Sequence, residues 1–236
     1  MTYVIRPDSP EALGARYRER AIVPAKTALL SVDMQNCDCA AKLRRRPLDP
    51  TPENDRYRYF YDRLERMVIP NQQRLHAATR KVGVENIYIV IESLTKNGRD
   101  RGIDHKASQF HNPPGSWEAQ VIDEVAPEDD DIIIRKTASG PFGTTNLDYL
   151  LRNMGFDQLI VFGVLSDQCV ENTVRMGGDL GYLVTLVTDC CATYSQERQD
   201  FSERAIKGYC RQRTTDQLIA ELTEVAKQNA GSLTAA

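Results

Sequence analysis

Five short apolar runs constrain this chain more than any other feature of it. They are Thr27 to Asp33, Asn86 to Glu92, Asp131 to Lys136, Leu159 to Phe162 and Leu183 to Asp189, with a weaker sixth near Arg211 to Thr214. Leu159 to Phe162 in particular has the β-branched content of a fully buried strand. The stretches between them read as helices or long connections. From Arg56 to Val82 the residues Tyr57, Phe60, Leu64, Met67, Val68, Leu75 and Ala78 recur at helical spacing, interrupted by Pro70, which predicts one kinked helix or two short ones. Further helices are predicted over Trp117–Val125, Thr144–Met154 with Gly155 as the stop, Val170–Leu180, Ser195–Tyr209 with a Ser cap, and Thr215–Gln228. A short helix from Pro10 to Arg20 precedes the first strand, and a weak tail follows from Asn229. Strand and helix alternate throughout, so the expected class is α/β: a three-layer α/β/α sandwich around a mostly parallel sheet, formed as a single domain over 1–236 with its core at about 24–222.

Composition narrows the partners. Thirty Lys and Arg against 33 Asp and Glu give a formal net charge of −3, with no overall pull toward nucleic acid or an anionic membrane surface. The basic cluster from Lys42 to Arg46 is followed by Asp49, Glu53 and Asp55 and reads as a solvated loop. No apolar run has the length of a membrane span, and the first twenty residues lack the apolar centre of a signal peptide, so a cytoplasmic protein is expected. Six cysteines fit that setting: neither Cys37-Asp38-Cys39 nor Cys190-Cys191 has disulfide-framework or zinc-site spacing.

Parallel sheets bind ligands at the carboxyl ends of their strands. Here the first strand delivers Asp33, the second Glu92 and the third Lys136; the fourth leads through Gly163 to Cys169, where a helix begins. A thiol at a helix start can ionise readily, and the free backbone N–H groups there can hold an oxyanion. Taken singly, Cys169 reads as a buried core thiol, Asp33 as a helix cap and Lys136 as a surface residue. Together they supply a nucleophile, a proton carrier and a cation, which is what acyl transfer needs. Glu92 reads equally as an acceptor for substrate NH groups or as a partner of an arginine such as Arg99 or Arg101. The long, Gly-, Asn- and Asp-rich connection from Ser93 to Ser116 reads as a lid, with Trp117 and Phe142 joining it over the substrate.

Three segments carry a family resemblance: Val32-Asp33-Met34-Gln35-Asn36, Lys136-Thr137-Ala138-Ser139-Gly140-Pro141-Phe142 with Thr144 to Leu147, and Gly163 to Val170 with Gly181-Tyr182. In order and spacing they resemble the isochorismatase-like cysteine hydrolase superfamily, over roughly Pro24 to Leu222. The resemblance implies a six-stranded sheet in the order 3-2-1-4-5-6 and a catalytic triad of Asp33, Lys136 and Cys169. It also implies a cis peptide at Val164–Leu165 that turns the Leu165 N–H toward the same point as the Cys169 N–H, forming an oxyanion hole. Lys136 is expected to stabilise the thiolate and Asp33 to shuttle protons through a thioester mechanism. Gln35, Asn36, Glu92, Trp117, Phe142 and Gln168 are the candidate substrate-binding residues.

The resemblance implies no cofactor, and no metal is expected. Nicotinamidases in the superfamily bind a metal through an Asp and histidines after the second strand, whereas this chain has Glu92-Ser93-Leu94 there, and His105 and His111 read as ordinary loop residues. Isochorismatases typically lack the nucleophilic cysteine, so Cys169 favours C–N hydrolysis of a small linear amide or ureide, similar to ureidoacrylate, biuret and triuret amidohydrolases. Nicotinamidase-like, isochorismatase-type and non-catalytic binding roles are the alternatives. A homodimer or homotetramer is usual for the family.

Overall fold

The computed structural model describes residues 18–233, with side chains described to residue 228; the helix expected from Pro10 falls almost wholly outside the described residues. Six strands form one sheet: β1 Thr27–Val32, β2 Glu85–Ile91, β3 Ile132–Lys136, β4 Gln158–Val164, β5 Leu183–Ala192 and β6 Cys210–Arg213. Their order is β3-β2-β1-β4-β5-β6, and all five pairings are parallel. β1 and β4 are buried along their whole length, as their unbroken apolar composition requires. Helices flank the sheet on both faces. Ile69–Val82 packs on Thr215–Leu233 and over β2 and β5, while Glu171–Asp179 packs on β4, β5 and the helix Gln196–Ile206. No helix among the described residues is long and apolar enough to cross a membrane.

The register brings the strand ends level. Val32 is paired with both Ile89 and Gly163, and Ile91 with Lys136, so Asp33, Lys136 and the exit of β4 emerge at one edge. Gly163 makes the closest of these approaches. Its φ is +131°, and a Cβ there would lie 2.0 Å from the Val32 carbonyl oxygen, so only glycine lets β4 run this near the end of β1. The next peptide but one, Val164–Leu165, is cis.

The periodic stretch from Arg56 to Val82 is one continuous helical rod. Thr51 caps it by accepting from the Asn54 N–H, Pro52 opens Pro52–Arg63, a π turn spans Leu64–Val68, and Ile69–Val82 ends at the left-handed Gly83. Pro70 has no N–H to donate backward, and the wide turn immediately before it takes up the mismatch without breaking the rod.

β5 runs three residues past the predicted Asp189. Its pairing with β4 shifts between Val161–Leu186 and Gly163–Cys191, leaving several β5 carbonyls without a β4 partner. The rod supplies donors for them: Arg63 Nε to Cys191 O (2.8 Å), Asn71 Nδ2 to Asp189 O (3.2 Å) and Gln72 Nε2 to Cys190 O (2.9 Å). Buried backbone groups need partners, and here side chains replace the ladder.

The helix expected at Trp117–Val125 does not form. Met34 to Cys37 tie this stretch down through Asn36 N–H to Gln120 O (2.8 Å), Cys37 N–H to Glu118 O (3.1 Å) and Ile122 N–H to Met34 O (2.9 Å), leaving a turn at 117–119 and a 3-10 turn at Asp123–Val125. Backbone bonds to a neighbouring segment outweigh local helix preference. The Thr144–Met154 helix likewise begins later, at Leu147, because Thr144 and Thr145 turn their hydroxyls back to the carbonyls of Gly140 and Pro141.

Candidate active site

Lys136 lies at the centre of the site and is fully buried. Its Nζ donates to Asp33 Oδ2 (2.8 Å) and Ala138 O (3.2 Å) and lies 3.4 Å from Cys169 Sγ. Three strand ends converge on one ammonium. Asp33 follows β1 with φ +54°, a left-handed conformation that Asp tolerates better than most residues, and this turns the chain out of the sheet as its N–H donates to Ile89 O at 2.9 Å. Cys169 lies within a π-type turn, Ser166–Val170, that precedes the helix Glu171–Asp179. It therefore stands one turn inside the helical segment predicted to start beside it.

The electrostatics differ from the simple expectation of a lysine-stabilised thiolate. Burial is the strongest influence on Cys169 and Asp33 adds to it, so the thiol is pushed up to about 12 even though Lys136 opposes both. Burial also raises Asp33, with Lys136 only partly offsetting it. Burial alone would lower Lys136, but the charges of Asp33 and Cys169 outweigh that and hold it above its ordinary value. At neutral pH the site therefore rests as an ammonium, a protonated thiol and a carboxyl unusually ready to take a proton. Asp33 Oδ1 is buried and has no protein partner.

These groups open onto a cavity of about 670 Å³ whose wall includes Asp33, Leu165, Gln168 and Cys169. The other predicted substrate-binding residues are placed elsewhere. Gln35 is fully buried, and its amide is spent on Ile91 N–H (2.7 Å), Ile91 O (2.9 Å) and Ala119 O (2.8 Å). Asn36 Nδ2 donates to Trp117 O at 3.0 Å. Trp117 lies at the surface with Lys42 Nζ 3.5 Å over its ring. Phe142 is a core residue stacked on Tyr182 at 5.7 Å. Glu92 is turned away from the cavity: Oε2 accepts from Arg135 Nε (2.8 Å) and Oε1 from the Gly115 N–H (2.9 Å). An arginine does pair with it, but from the adjacent strand β3 rather than from the loop positions Arg99 or Arg101.

Several wall residues escape sequence reasoning. Asp38, Glu118 and Tyr194 line the cavity, as do His105 and His111 from the long connection. His105 is buried rather than solvated, and its Nδ1 has no partner. Burial and then Lys136 lower its pKa, so the ring is neutral at neutral pH. Asp38, two positions past the first motif segment, had a sequence signal; Tyr194, five positions past the predicted end of the fifth strand, had none. Among the described residues no three His, Cys, Asp or Glu side chains are grouped closely enough to hold a metal ion.

Residues 27–218 match the Isochorismatase domain family. The chain is 29% identical over 223 residues to ureidoacrylate amidohydrolase RutB of Serratia proteamaculans, covering 86% of this chain and 85% of that protein. It is 31% identical over 164 residues to the uncharacterised isochorismatase family protein YwoC of Bacillus subtilis, covering 66% and 83%. Among solved structures it is similar to a cysteine hydrolase from Pseudomonas syringae pv. phaseolicola, with a TM-score of 0.72, 25% identity and coverage of 87% and 96%.

Proposed function

The chain belongs to the isochorismatase family, and on that premise we propose that it hydrolyses a C–N bond of a small linear amide or ureide through a thioester on Cys169. The observation that carries this reading is the single buried ammonium of Lys136 joining Asp33 and Cys169. Relatives named as amidohydrolases support it.

The raised thiol pKa gives the order of events. Asp33 takes the thiol proton as Sγ attacks the carbonyl carbon, so a standing thiolate is not required. Lys136 stays charged and stabilises the anionic sulfur as it forms. The tetrahedral oxyanion is received by the Leu165 and Cys169 N–H groups beside the cis peptide. Collapse breaks the C–N bond, and Asp33 returns the proton to the leaving nitrogen, freeing ammonia or a small amine. Asp33 then draws a proton from water, the water oxygen attacks the thioester, and the acid departs as Sγ regains its proton. Gln168 lines the cavity, which supports reading it as a substrate-binding side chain. Six free cysteines support a reducing, cytoplasmic setting, and a homodimer or homotetramer accords with the family.

The test is an ammonia-release screen of small amides, ureides and carbamoyl amino acids with wild type and Cys169→Ala. Release by wild type and its loss in a variant that keeps its circular dichroism is the expected result. Substantial turnover by the folded variant would remove the mechanism.

A further inference from the structure

The cavity around Cys169 has a one-sided charge. Asp33, Asp38, Asp104 and Glu118 all line it, and among the described lining residues there is no lysine and no arginine. Lys136 lies beneath the floor, its ammonium shared among Asp33, Ala138 O and Cys169. The neighbouring arginines are engaged elsewhere. Arg101 donates to the carbonyls of Gly98, His105 and Phe110; Arg135 pairs with Glu92; Arg198 pairs with Asp167. Arg198 and Arg56 lie over the Tyr194 ring, 5.4 and 5.6 Å from its centroid, and are not part of the wall.

Asp38 is the distinctive member of this set. Asp33 has Lys136 as its counter-charge, and Asp104 and Glu118 stand at the exposed rim. Asp38 is half-buried, and among the described residues the one side-chain hydrogen bond to its carboxylate is from the weak Cys37 Sγ donor at 3.7 Å. Burial and then the charge of Asp33 hold it above its ordinary pKa, and no salt bridge to it forms among the described residues. A buried carboxylate without a partner is costly, and a ligand cation placed against it recovers that cost. A ligand carboxylate in the same place meets Asp38 and Asp33 with nothing to neutralise it.

We infer that the substrate is an amide or ureide whose non-reacting end carries a cation, an ammonium or guanidinium, held by Asp38 with Glu118 and Asp104 at the rim. The inference rests on the amidohydrolase reading for the position of the reacting carbonyl at Cys169. It separates this chain from a ureidoacrylate-type preference, since an acrylate carboxylate is the group this cavity rejects. Neutral His105 and Gln168 add no compensating positive charge.

The experiment uses three methanethiosulfonates with the same reacting sulfur and different tails: 2-(trimethylammonio)ethyl, methyl and 2-sulfonatoethyl. Modification of Cys169 is followed by mass spectrometry of its peptide, each rate divided by that of the same reagent with 2-mercaptoethanol. The expected order is cationic, neutral, anionic, with at least tenfold between the first and last, and Asp38→Asn should contract that span several-fold. An anionic reagent as fast as the cationic one overturns the inference, as does an unchanged span in a folded Asp38→Asn protein. Should that variant fail to fold, protection of wild-type Cys169 by n-butylammonium and by butyrate decides instead: stronger protection by butyrate overturns the inference, stronger protection by n-butylammonium upholds it. The two readings fail separately. Cys169-dependent ammonia release with an anion-preferring label removes the charge assignment alone, and a cation-preferring label without such release removes the amide reading alone.

Discussion

Replacing Lys136 with Met keeps most of the side-chain length and removes the charge that joins the site. The ammonium is fully buried, and its loss leaves Asp33, 5% exposed, without the cation that offsets its burial. Removing one member of a buried pair costs about 3–5 kcal/mol, and losing the Lys136 charge, which opposes the burial effect, raises the Asp33 pKa further. A larger fraction of the carboxyl is then protonated and unable to serve as the base. Loss of a positioned general base lowers kcat by roughly a hundredfold to ten-thousandfold. The stability change has a distinct pH signature. A carboxyl whose folded pKa lies above its unfolded value binds more protons when folded, so its penalty grows as pH rises from near 4 toward the folded pKa. The Lys136→Met deficit in urea denaturation should therefore be larger at pH 7.5 than at pH 5. A deficit equal at both pH values, or turnover above a tenth of wild type, would refute the reasoning.

Gly163→Ala should destabilise the fold by at least about 2 kcal/mol and lower activity as well, because its Cβ would force the ends of β1 and β4 apart; a urea midpoint equal to wild type would show the overlap is relieved cheaply. His76 donates from Nδ1 to Asn86 Oδ1 at 2.8 Å, leaves Nε2 buried without a partner and has its pKa lowered by burial to about 4. Its unfolded form binds the proton first, so stability should fall as pH drops from about 6.5 through 4, by up to about 3 kcal/mol, and this slope should flatten in His76→Gln. Glu92→Gln should leave kcat and KM for a small amide near wild type and cost under about 1 kcal/mol, since Glu92 faces a half-exposed Arg135 rather than the cavity; a hundredfold loss of turnover would return Glu92 to the substrate.

The strands and the three residues at their ends were legible because unbroken apolar runs mark buried parallel strands, and reactive side chains at their carboxyl ends stand out. The six-strand order came from the family resemblance and appears as expected in the sheet. Direction was harder to read than position. Gln35, Asn36 and Phe142 sit in motif segments beside the site, yet each turns its side chain into the scaffold, because neighbouring carbonyls or rings satisfy it there. The Trp117 segment has helical composition, but Met34 to Cys37 pair with its backbone, a contact no local pattern encodes. Asp38 and His105 belong to connections without periodicity, so the cavity's charge emerged only when those connections were placed against the strand ends.

Gln35 takes over where the sheet stops. The β1–β2 ladder ends at Val32 and Ile89, the main chain swings out at Asp33, and the Gln35 amide then bonds both backbone groups of Ile91 as another strand residue would. The connection that begins at Ser93 is thus anchored upstream of its first residue, by a side chain from a different part of the chain. For protein engineering this marks a natural seam: residues 93–116 form a cassette with Gln35 and Ile91 as its fixed joint, and exchanging it would alter the His105 and His111 side of the cavity while leaving Asp38 and Glu118 in place.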